Sequence, residues 1–410
     1  MKRKLELLAP AGDLEKLKIA ITFGADAVYI GGDKFGLRAK AKNFTYDEMI
    51  EGLEFAHSRG KKVYVTLNIF AHNDDFYALE EYLLDLDKLG VDAVIVSDLG
   101  IFSWVREILP NMEIHISTQA NTTNVHSVKM WNTLGAKRVV VARELNAKDL
   151  KVISDTMPVE FDIEAFVHGA MCISYSGRCL LSNYMTNRDA NKGACAHPCR
   201  WKYNLVEETR PGEYMPIEED ERGTYIYNSK DLCMLEHIPE LIECGVNSFK
   251  IEGRMKTAYY VGAVVRTYRT AIDDYLKDPK LYENKKSYYM EEIRKSSHRD
   301  FTTGFYFGRP DGNEQIYTNN SYIRNYDFCA VIKSYDRLTG YAIIEQRNKF
   351  VKGEEIEIFK SNGENVSFVI DEMFDENNSI ITEAPHPKQI IKIKLPCEVA
   401  EFDMFRKSVE

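Results

Sequence analysis

The chain has 410 residues, of which 44% are hydrophobic and 28% are charged, and this mixture is typical of globular domains rather than of a disordered protein. Asp and Glu (63) outnumber Lys and Arg (53), so the net charge of −10 excludes a uniformly basic nucleic-acid coat; RNA would need a local basic surface. No apolar run approaches the ~18 residues of a membrane-spanning helix, and Pro10 and Asp13 interrupt any signal-peptide core. We therefore expect a cytoplasmic protein without a membrane partner.

A short motif recurs four times along the first 255 residues or so. Each copy is a glycine followed by a mostly apolar run, and the copies span residues 24–30, 90–96, 135–141 and 245–251. Amphipathic segments such as residues 13–23 precede them, with apolar side chains three and four positions apart. Because glycine suits the left-handed residue that ends a helix, each copy predicts a helix followed by a strand buried on both faces.

Four more runs fit strands, at residues 5–8, 62–67, 112–117 and 159–167, which brings the predicted number to eight. Strands that alternate with helices indicate parallel βαβ units. The pattern favours an α/β fold with a TIM-like (β/α)8 barrel over residues 1–257. An open doubly wound sheet is the alternative, but no G-x-G-x-x-G loop follows the first strand.

Charged residues occur where the barrel pattern places strands and their carboxyl ends, which is where such barrels carry their chemistry. Glu164 and Lys250 lie inside strand patterns, and an unpaired charge is costly there. We therefore expect these two residues to be paired or functional. Arg143, Glu252 and Arg254 follow directly at strand ends.

An insertion of residues 170–235 follows the seventh predicted strand and carries a cluster of cysteines. These are Cys172, Cys179, Cys195, Cys199 and Cys233. Disulfides are rare in the cytosol, so the cluster indicates a metal site or a catalytic site. Only one pair has the tight spacing of a zinc knuckle, which favours an iron–sulfur cluster. A zinc site and unrelated buried thiols remain alternatives.

The remaining chain divides into two further regions. Residues 258–325 begin with an amphipathic helical pattern and form a helical connector. Residues 326–410 alternate between short strand patterns and turn signals such as Asn362-Gly363. This last region predicts a small antiparallel β-barrel.

Several segments together resemble the signature of a known family. They are residues 8–12, 164–182, 191–201, 228–232, 250–256 and 301–305. In these segments and across nearly its whole length, the chain is similar to the collagenase-like peptidase family U32. The resemblance implies an oxygen-sensitive 4Fe–4S cluster and a role in the prephenate-dependent hydroxylation of the wobble uridine of tRNA to 5-hydroxyuridine.

The resemblance also carries residue roles onto this sequence by position. The implied cluster ligands are Cys172, Cys179, Cys195 and Cys233, with Cys199 as the alternative to Cys195. The other cysteines, Cys244, Cys329 and Cys397, are predicted to be buried apolar thiols.

Residues at the predicted barrel mouth and in the insertion are candidates for the remaining roles. Because guanidinium and ammonium groups bind carboxylates, the candidates for binding prephenate or a derivative are Arg143, Arg178, Lys250 and Arg254. The candidate acid–base groups are Glu164, His168 and Glu252. Basic and aromatic residues suited to RNA are Arg188, Arg200, Trp201 and Lys202.

The resemblance thus implies a tRNA uridine hydroxylase or an essential subunit of one, with tRNA as partner and a shorter paralogue of the family as a second candidate partner. One alternative is a collagenase-like peptidase, although the chain has neither an H-E-x-x-H nor a G-x-S-x-G motif, and cluster-bound thiolates cannot act as nucleophiles. The other alternative is a non-catalytic iron–sulfur factor that presents tRNA.

Overall fold

The structure is a computed structural model. It describes residues 4–32, 43–171, 179–186, 188, 195–196, 198, 204–205, 215–216, 230–308 and 322–409. Within these residues, none of the helices combines the length and the apolar composition needed to cross a membrane.

Eight parallel strands close into a barrel. They are β1 (Glu6–Pro10), β2 (Ala27–Ile30), β3 (Lys62–Leu67), β4 (Ala93–Val96), β5 (Ile114–Ile116), β6 (Arg138–Val140), β7 (Asp162–Ala170) and, later in the chain, β11 (Ser248–Ile251). The first strand pairs with both β2 and β11, and β11 pairs in turn with β7. This closure confirms the predicted barrel and rules out the open sheet.

Helices follow most of these strands. They are α1 (Leu14–Thr22), α2 (Tyr46–His57), α3 (Leu79–Leu89), α4 (Leu99–Ile108), α5 (Val125–Thr133), α6 (Ala147–Thr156), α7 (Leu181–Thr186), α8 (Ile238–Glu243), α9 (Ala258–Lys277) and α10 (Pro279–Arg294). The side chain of Asp13 caps the first turn of α1, and Asn146 does the same for α6. Gly262 brings α9 close to Ile19 and Phe23, so α9 packs on the barrel beside α1.

Two predicted strands begin later than the sequence pattern indicates. Residues 158–161 form a turn in which the Phe161 N–H donates to the Pro158 carbonyl, so β7 begins at Asp162. Met112 likewise donates to Leu109 in a turn before β5.

Additional short strands extend the wall at the end of β7. β10 (Asp231–Cys233) pairs antiparallel with the last residues of β7, and β12 (Phe301–Thr302) pairs parallel with β10. Two further short strands, β8 (Asn204–Leu205) and β9 (Met215–Pro216), pair with each other inside the insertion.

The C-terminal domain is antiparallel. Its strands are β13 (Tyr326–Asp336), β14 (Tyr341–Gln346), β15 (Phe350–Val351), β16 (Glu355–Phe359), β17 (Val366–Val369), β18 (Met373–Phe374), β19 (Ile380–Ile381), β20 (Glu383–Ala384), β21 (Ile390–Lys394) and β22 (Met404–Ser408). Eight of them form one sheet in the order β17-β16-β22-β13-β14-β21-β18-β19, and β15 pairs with β20. Alternating side chains such as Ile356 and Ile358 fill its separate core. The predicted antiparallel domain is confirmed as a half-barrel.

The two domains are joined through buried contacts. The ring of Phe23 on α1 stacks on Phe359 of β16 with 5.3 Å between centroids. The fully buried Arg406 on β22 binds Glu292 of α10 at 2.9 Å and Glu357 of β16 at 2.9 Å. These contacts fix the sheet domain against the helices α1 and α10.

Candidate functional site

A polar pocket opens at the carboxyl ends of the barrel strands. Its polar wall includes Asn68 after β3, Gln119 after β5, Arg143 after β6, Lys250 on β11, and Glu252 and Arg254 just beyond it. The pocket is open to solvent. The barrel therefore places its pocket where the strand-end pattern predicts.

An ionic network fills the barrel beneath this pocket. Glu164 is completely buried and accepts hydrogen bonds from Lys250 Nζ at 2.5 Å and from Arg138 Nη1 at 3.0 Å. Arg138 also pairs with Glu6 and with Asp162. Burial opposes ionisation of Glu164, but the charges of Lys250 and Arg138 outweigh it and hold its pKa below the usual range.

This network determines what Glu164 does in the barrel. A carboxylate shared between two cations is a poor proton acceptor, and its side chain is not part of the pocket wall. It fixes the ammonium of Lys250, which does line the pocket. Glu164 and Lys250 are thus paired, one of the two outcomes that the sequence predicts, and a direct acid–base role for Glu164 stays a prediction.

Two arginines reach the pocket in different ways. The Arg143 guanidinium lies 3.9 Å from the centroid of the Phe166 ring. Its charge acts on the neighbouring Glu144 carboxyl, but Arg143 makes no ion pair within the described parts of the chain. The Arg254 guanidinium donates to Thr66 Oγ1 and to Asn43 Oδ1, both at 3.4 Å. A cation held on an aromatic face without an ion pair is suited to an anionic ligand.

Two glycines make room for Arg254. A Cβ atom on Gly31 would lie 2.1 Å from Arg254 Nη2, and one on Gly12 would lie 2.1 Å from the Arg254 carbonyl oxygen. The glycine-containing segments at residues 8–12 and 31–32 therefore have a steric purpose at the site. The sequence shows these glycines but not what they contact.

His168 and Glu252 are placed differently from each other. Glu252 lines the pocket, whereas His168 is buried among Tyr260, Tyr268 and Phe301 and is not part of the pocket wall. Burial, with a smaller contribution from the Lys256 charge, lowers the pKa of His168 to about 3, so the ring is neutral at physiological pH. The proposed acid–base role of His168 would therefore need to involve its neutral form.

Cys233 lies on β10, beside the mouth of the barrel. It pairs with His168 across the β7–β10 ladder, two residues beyond the pocket residue Phe166, and it is buried. The Tyr268 hydroxyl lies 3.9 Å from its Sγ atom. Burial raises the pKa of the Cys233 thiol to about 11.

The segments that carry Cys179 and Cys195 contact each other. The Ala196 N–H, next to Cys195, donates to Ser182 Oγ at 2.9 Å, and Ser182 is three residues from Cys179. Arg188 Nη2 donates to the Cys195 carbonyl at 3.4 Å. Cys172, Cys199, Arg178, Arg200, Trp201 and Lys202 lie outside the described residues. No three potential ligand side chains converge within the residues that are described.

The remaining cysteines only partly match the expectation of buried thiols. Cys329 is fully buried in the core of the C-terminal domain, whereas Cys244 and Cys397 are only half-buried against their cores. Burial raises the pKa of all three thiols, which keeps them protonated at neutral pH.

Other residues of the site were not singled out by the sequence. Asn68 and Gln119 line the pocket, Arg138 anchors the ionic network, and Tyr268 lies beside Cys233. Asn68 and Gln119 follow the third and fifth strands of the barrel, but their amides carry no charge to mark them. Arg138 lies within a predicted apolar strand, where it interrupts the pattern.

The fold and the site together define a class of two-domain TIM-barrel proteins. Its members have a closed (β/α)8 barrel with a cationic pocket at the mouth and a cysteine-bearing insertion beside it, and the barrel is joined to an antiparallel sheet domain. The chain belongs to peptidase family U32: the model of that family matches residues 12–316, and the model of the family's C-terminal domain matches residues 324–406. The resemblance of the sequence motifs to this family is thereby confirmed.

Curated relatives cover nearly the whole chain. The tRNA hydroxylation protein P1 of Bacillus subtilis is 44% identical over 405 residues, which are 99% of this chain and 95% of the relative. The tRNA hydroxylation protein P of Escherichia coli is 35% identical and covers 96% of this chain and 94% of the relative. The 23S rRNA 5-hydroxycytidine synthase of Escherichia coli is 38% identical over 67% of this chain and 40% of its own length.

Solved structures of the family match parts of the chain. The C-terminal domain of a U32 peptidase from Geobacillus thermoleovorans is 37% identical and covers 20% of this chain and 99% of that domain, with a TM-score of 0.19. The U32 peptidase Mk0906 is 17% identical over 62% of this chain and 94% of that chain, with a TM-score of 0.40.

Proposed function

We propose that this chain is an iron–sulfur protein required for the prephenate-dependent hydroxylation of wobble uridine in tRNA to 5-hydroxyuridine, and that its barrel carries the reaction. The observation that carries this proposal is a cationic pocket beside a cysteine-bearing strand, in a chain 44% identical over 99% of its length to a tRNA hydroxylation protein. The related rRNA 5-hydroxycytidine synthase supports pyrimidine hydroxylation as a shared activity.

The cysteine set supports a cluster through its donor chemistry. Thiolates are the ligands that 4Fe–4S clusters use, and we assign them to Cys172, Cys179, Cys195 and Cys233, with Cys199 as the alternative ligand. The hydrogen bond between Ala196 and Ser182 joins the segments of two of these cysteines, and Cys233 lies on a strand beside the mouth. The cluster would supply one-electron redox chemistry next to the pocket.

The charges of the pocket support a carboxylate co-substrate such as prephenate. Arg143 lies over Phe166 and makes no ion pair in the described structure, and Lys250 and Arg254 complete the cationic wall. We assign Arg178, in the insertion, to the same wall. Glu252 is the carboxylate of the pocket wall and our candidate for proton transfer there.

The insertion is our candidate for tRNA contact. Arg188, Arg200, Trp201 and Lys202 combine cations for phosphate with an aromatic ring for base stacking. The large net negative charge of the chain makes such a local basic surface necessary.

The pair of Cys233 and His168 at the barrel mouth does not favour the alternative of a thiol protease. A thiol nucleophile needs a lowered thiol pKa and a basic imidazole. Burial does the opposite here, since it raises the pKa of Cys233 to about 11 and lowers that of His168 to about 3.

The test is a nucleoside analysis in cells. A strain that lacks this gene and any shorter paralogue of the family is expected to lose 5-hydroxyuridine-derived nucleosides from tRNA, measured by mass spectrometry. The wild-type gene and Cys397→Ala, which changes a thiol outside the proposed ligand set, are expected to restore them, whereas Cys179→Ala is not. Unchanged nucleosides in the deletion strain would contradict the proposal. Full restoration by Arg143→Met would favour a tRNA-presenting factor over a hydroxylase.

A further inference from the structure

Two carboxamide side chains on one wall of the barrel pocket have unmatched polar atoms. Asn68 Oδ1 and Gln119 Oε1 are buried, and neither has a hydrogen-bond partner within the described chain. Both residues contact Ser117, whose Oγ accepts from Asn68 Nδ2 at 3.4 Å and from the Gln119 N–H at 3.2 Å. Buried polar atoms are nearly always satisfied, so these two point to a missing partner.

The conclusion does not depend on how the amide ends of Asn68 are assigned. If the amide of Asn68 were turned over, the Ser117 hydroxyl would donate to its oxygen, and the amide nitrogen would become the unmatched atom. A hydroxyl group both donates and accepts, so it satisfies either orientation. A carboxylate only accepts and would satisfy only one of them.

The cations of the same pocket indicate that the ligand also carries a carboxylate. Arg143 offers a guanidinium that is free of ion pairs within the described chain, whereas the charge of Lys250 is already matched by Glu164. A planar guanidinium in this position is suited to a carboxylate. The pocket therefore combines one site for a carboxylate with one site for a hydroxyl.

We propose that Asn68 and Gln119 are specificity-determining residues that recognise a hydroxyl group, and that the pocket binds an organic acid carrying both a carboxylate, held at Arg143, and a hydroxyl, held by the two amides. This inference rests on the proposed function, because it concerns the co-substrate of the same site. It adds the residues that distinguish a hydroxylated acid from an acid that lacks the hydroxyl.

A matched pair of ligands tests the hydroxyl preference. Titration calorimetry on the full-length, anaerobically purified protein compares 4-hydroxyphenylpyruvate with phenylpyruvate, which differ by one hydroxyl, and includes prephenate as a third acid. The wild-type protein is expected to bind the hydroxylated acid about five- to tenfold more tightly, as expected for one to two neutral hydrogen bonds. Equal affinity for the pair would overturn the inference and indicate that the amides hold only water.

Variants separate the roles of the amides and of the arginine. Asn68→Leu and Gln119→Met keep the side-chain volume and are expected to bring the two affinities within about twofold of each other, whereas Asn377→Leu on an exposed turn of the C-terminal domain should keep the preference. Arg143→Met is expected to weaken both acids by a similar factor. A preference that survives in both amide variants would overturn the inference, and failure of all three acids to bind the wild type would overturn the carboxylate site of the proposed function.

Discussion

At the scale of single residues, the charges inside the barrel stabilise one another. Glu164 lies between Arg138 and Lys250, and all three side chains are almost completely shielded from solvent. Removing one partner of a buried ion pair leaves an uncompensated charge. We therefore expect Glu164→Gln to lower the free energy of unfolding by about 3 kcal/mol in urea titrations.

The matched control is an exposed pair on the barrel surface. Glu51 on α2 pairs with Lys18 on α1 and is largely exposed, so Glu51→Gln should change the free energy of unfolding by less than about 1 kcal/mol. Equal effects of the two substitutions would show that the internal network does not stabilise the barrel.

The same network predicts that the stability of the fold depends on pH. Burial opposes ionisation of Glu6, but Arg138 outweighs it and lowers the pKa of Glu6 from 4.5 to about 2. A carboxylate whose pKa is lowered by folding stabilises the protein above its unfolded pKa, and this stability disappears as the pH falls from about 4.5 to about 2. Urea midpoints measured between pH 5 and pH 2 should fall less steeply in Glu6→Gln than in the wild type, and parallel curves would contradict this assignment.

Gly31 controls the position of a pocket arginine. Because a Cβ atom there would lie 2.1 Å from Arg254 Nη2, Gly31→Ala is expected to displace the guanidinium and cost about 1–3 kcal/mol by overpacking. It should also weaken the binding of prephenate measured by calorimetry. Gly308→Ala is the control, because no atom of the described residues lies within 4 Å of its added Cβ. Wild-type prephenate affinity in Gly31→Ala would contradict the role of Arg254.

The ionic network also shows which contacts can be predicted from the sequence and which cannot. Glu164 and Lys250 are predictable as a pair because charges inside strands need partners. Their common partner Arg138 is not, because it lies 26 residues before Glu164 and only barrel closure joins the two. The contact of Gly31 with Arg254 is likewise a product of the closed barrel, in which β1 alone separates β2 from β11.

At the scale of elements, the glycine motif predicts the barrel because its physical basis is local. Gly24, Gly90, Gly135 and Gly245 all have positive φ, between 74° and 108°, as the helix-ending role requires. The strands β10 and β12 could not be predicted from the sequence, because they have only three and two residues and so show no hydrophobic periodicity. They form only because β7 extends beyond its predicted end and offers an edge.

The attachment of β10 to β7 depends on Tyr268 of α9. Its hydroxyl donates to the Val167 carbonyl at 2.8 Å and accepts from the Met234 N–H at 3.1 Å. Tyr268→Phe should lower the free energy of unfolding by about 1–2 kcal/mol and accelerate the loss of iron in air, followed by absorbance, because β10 carries Cys233. Tyr275→Phe, on the same helix, removes a hydroxyl with no hydrogen bond in the described structure and should change neither quantity. Identical iron loss in both variants would argue against Cys233 as a ligand.

At the scale of the whole molecule, one buried arginine couples the two domains. Arg406 carries bonds to Glu292 and Glu357, and its loss would leave two carboxylates facing each other at the interface. Arg406→Met is expected to cost about 3–5 kcal/mol and to split one calorimetric unfolding transition into two. Lys352→Met, which removes an exposed pair with Asp371, should leave a single transition. A single transition in Arg406→Met would show that other contacts hold the domains together.

The account depends most on the proposed iron–sulfur cluster, whose ligands we assign to cysteines of the insertion. The most direct measurement is the iron, sulfide and zinc content of the full chain purified without oxygen, for the wild type and for the Cys179→Ala and Cys244→Ala variants. We predict about four iron atoms and matching sulfide per chain in the wild type and in Cys244→Ala, and a loss of both in Cys179→Ala. One zinc ion per chain with no iron, or full iron content in Cys179→Ala, would contradict the account.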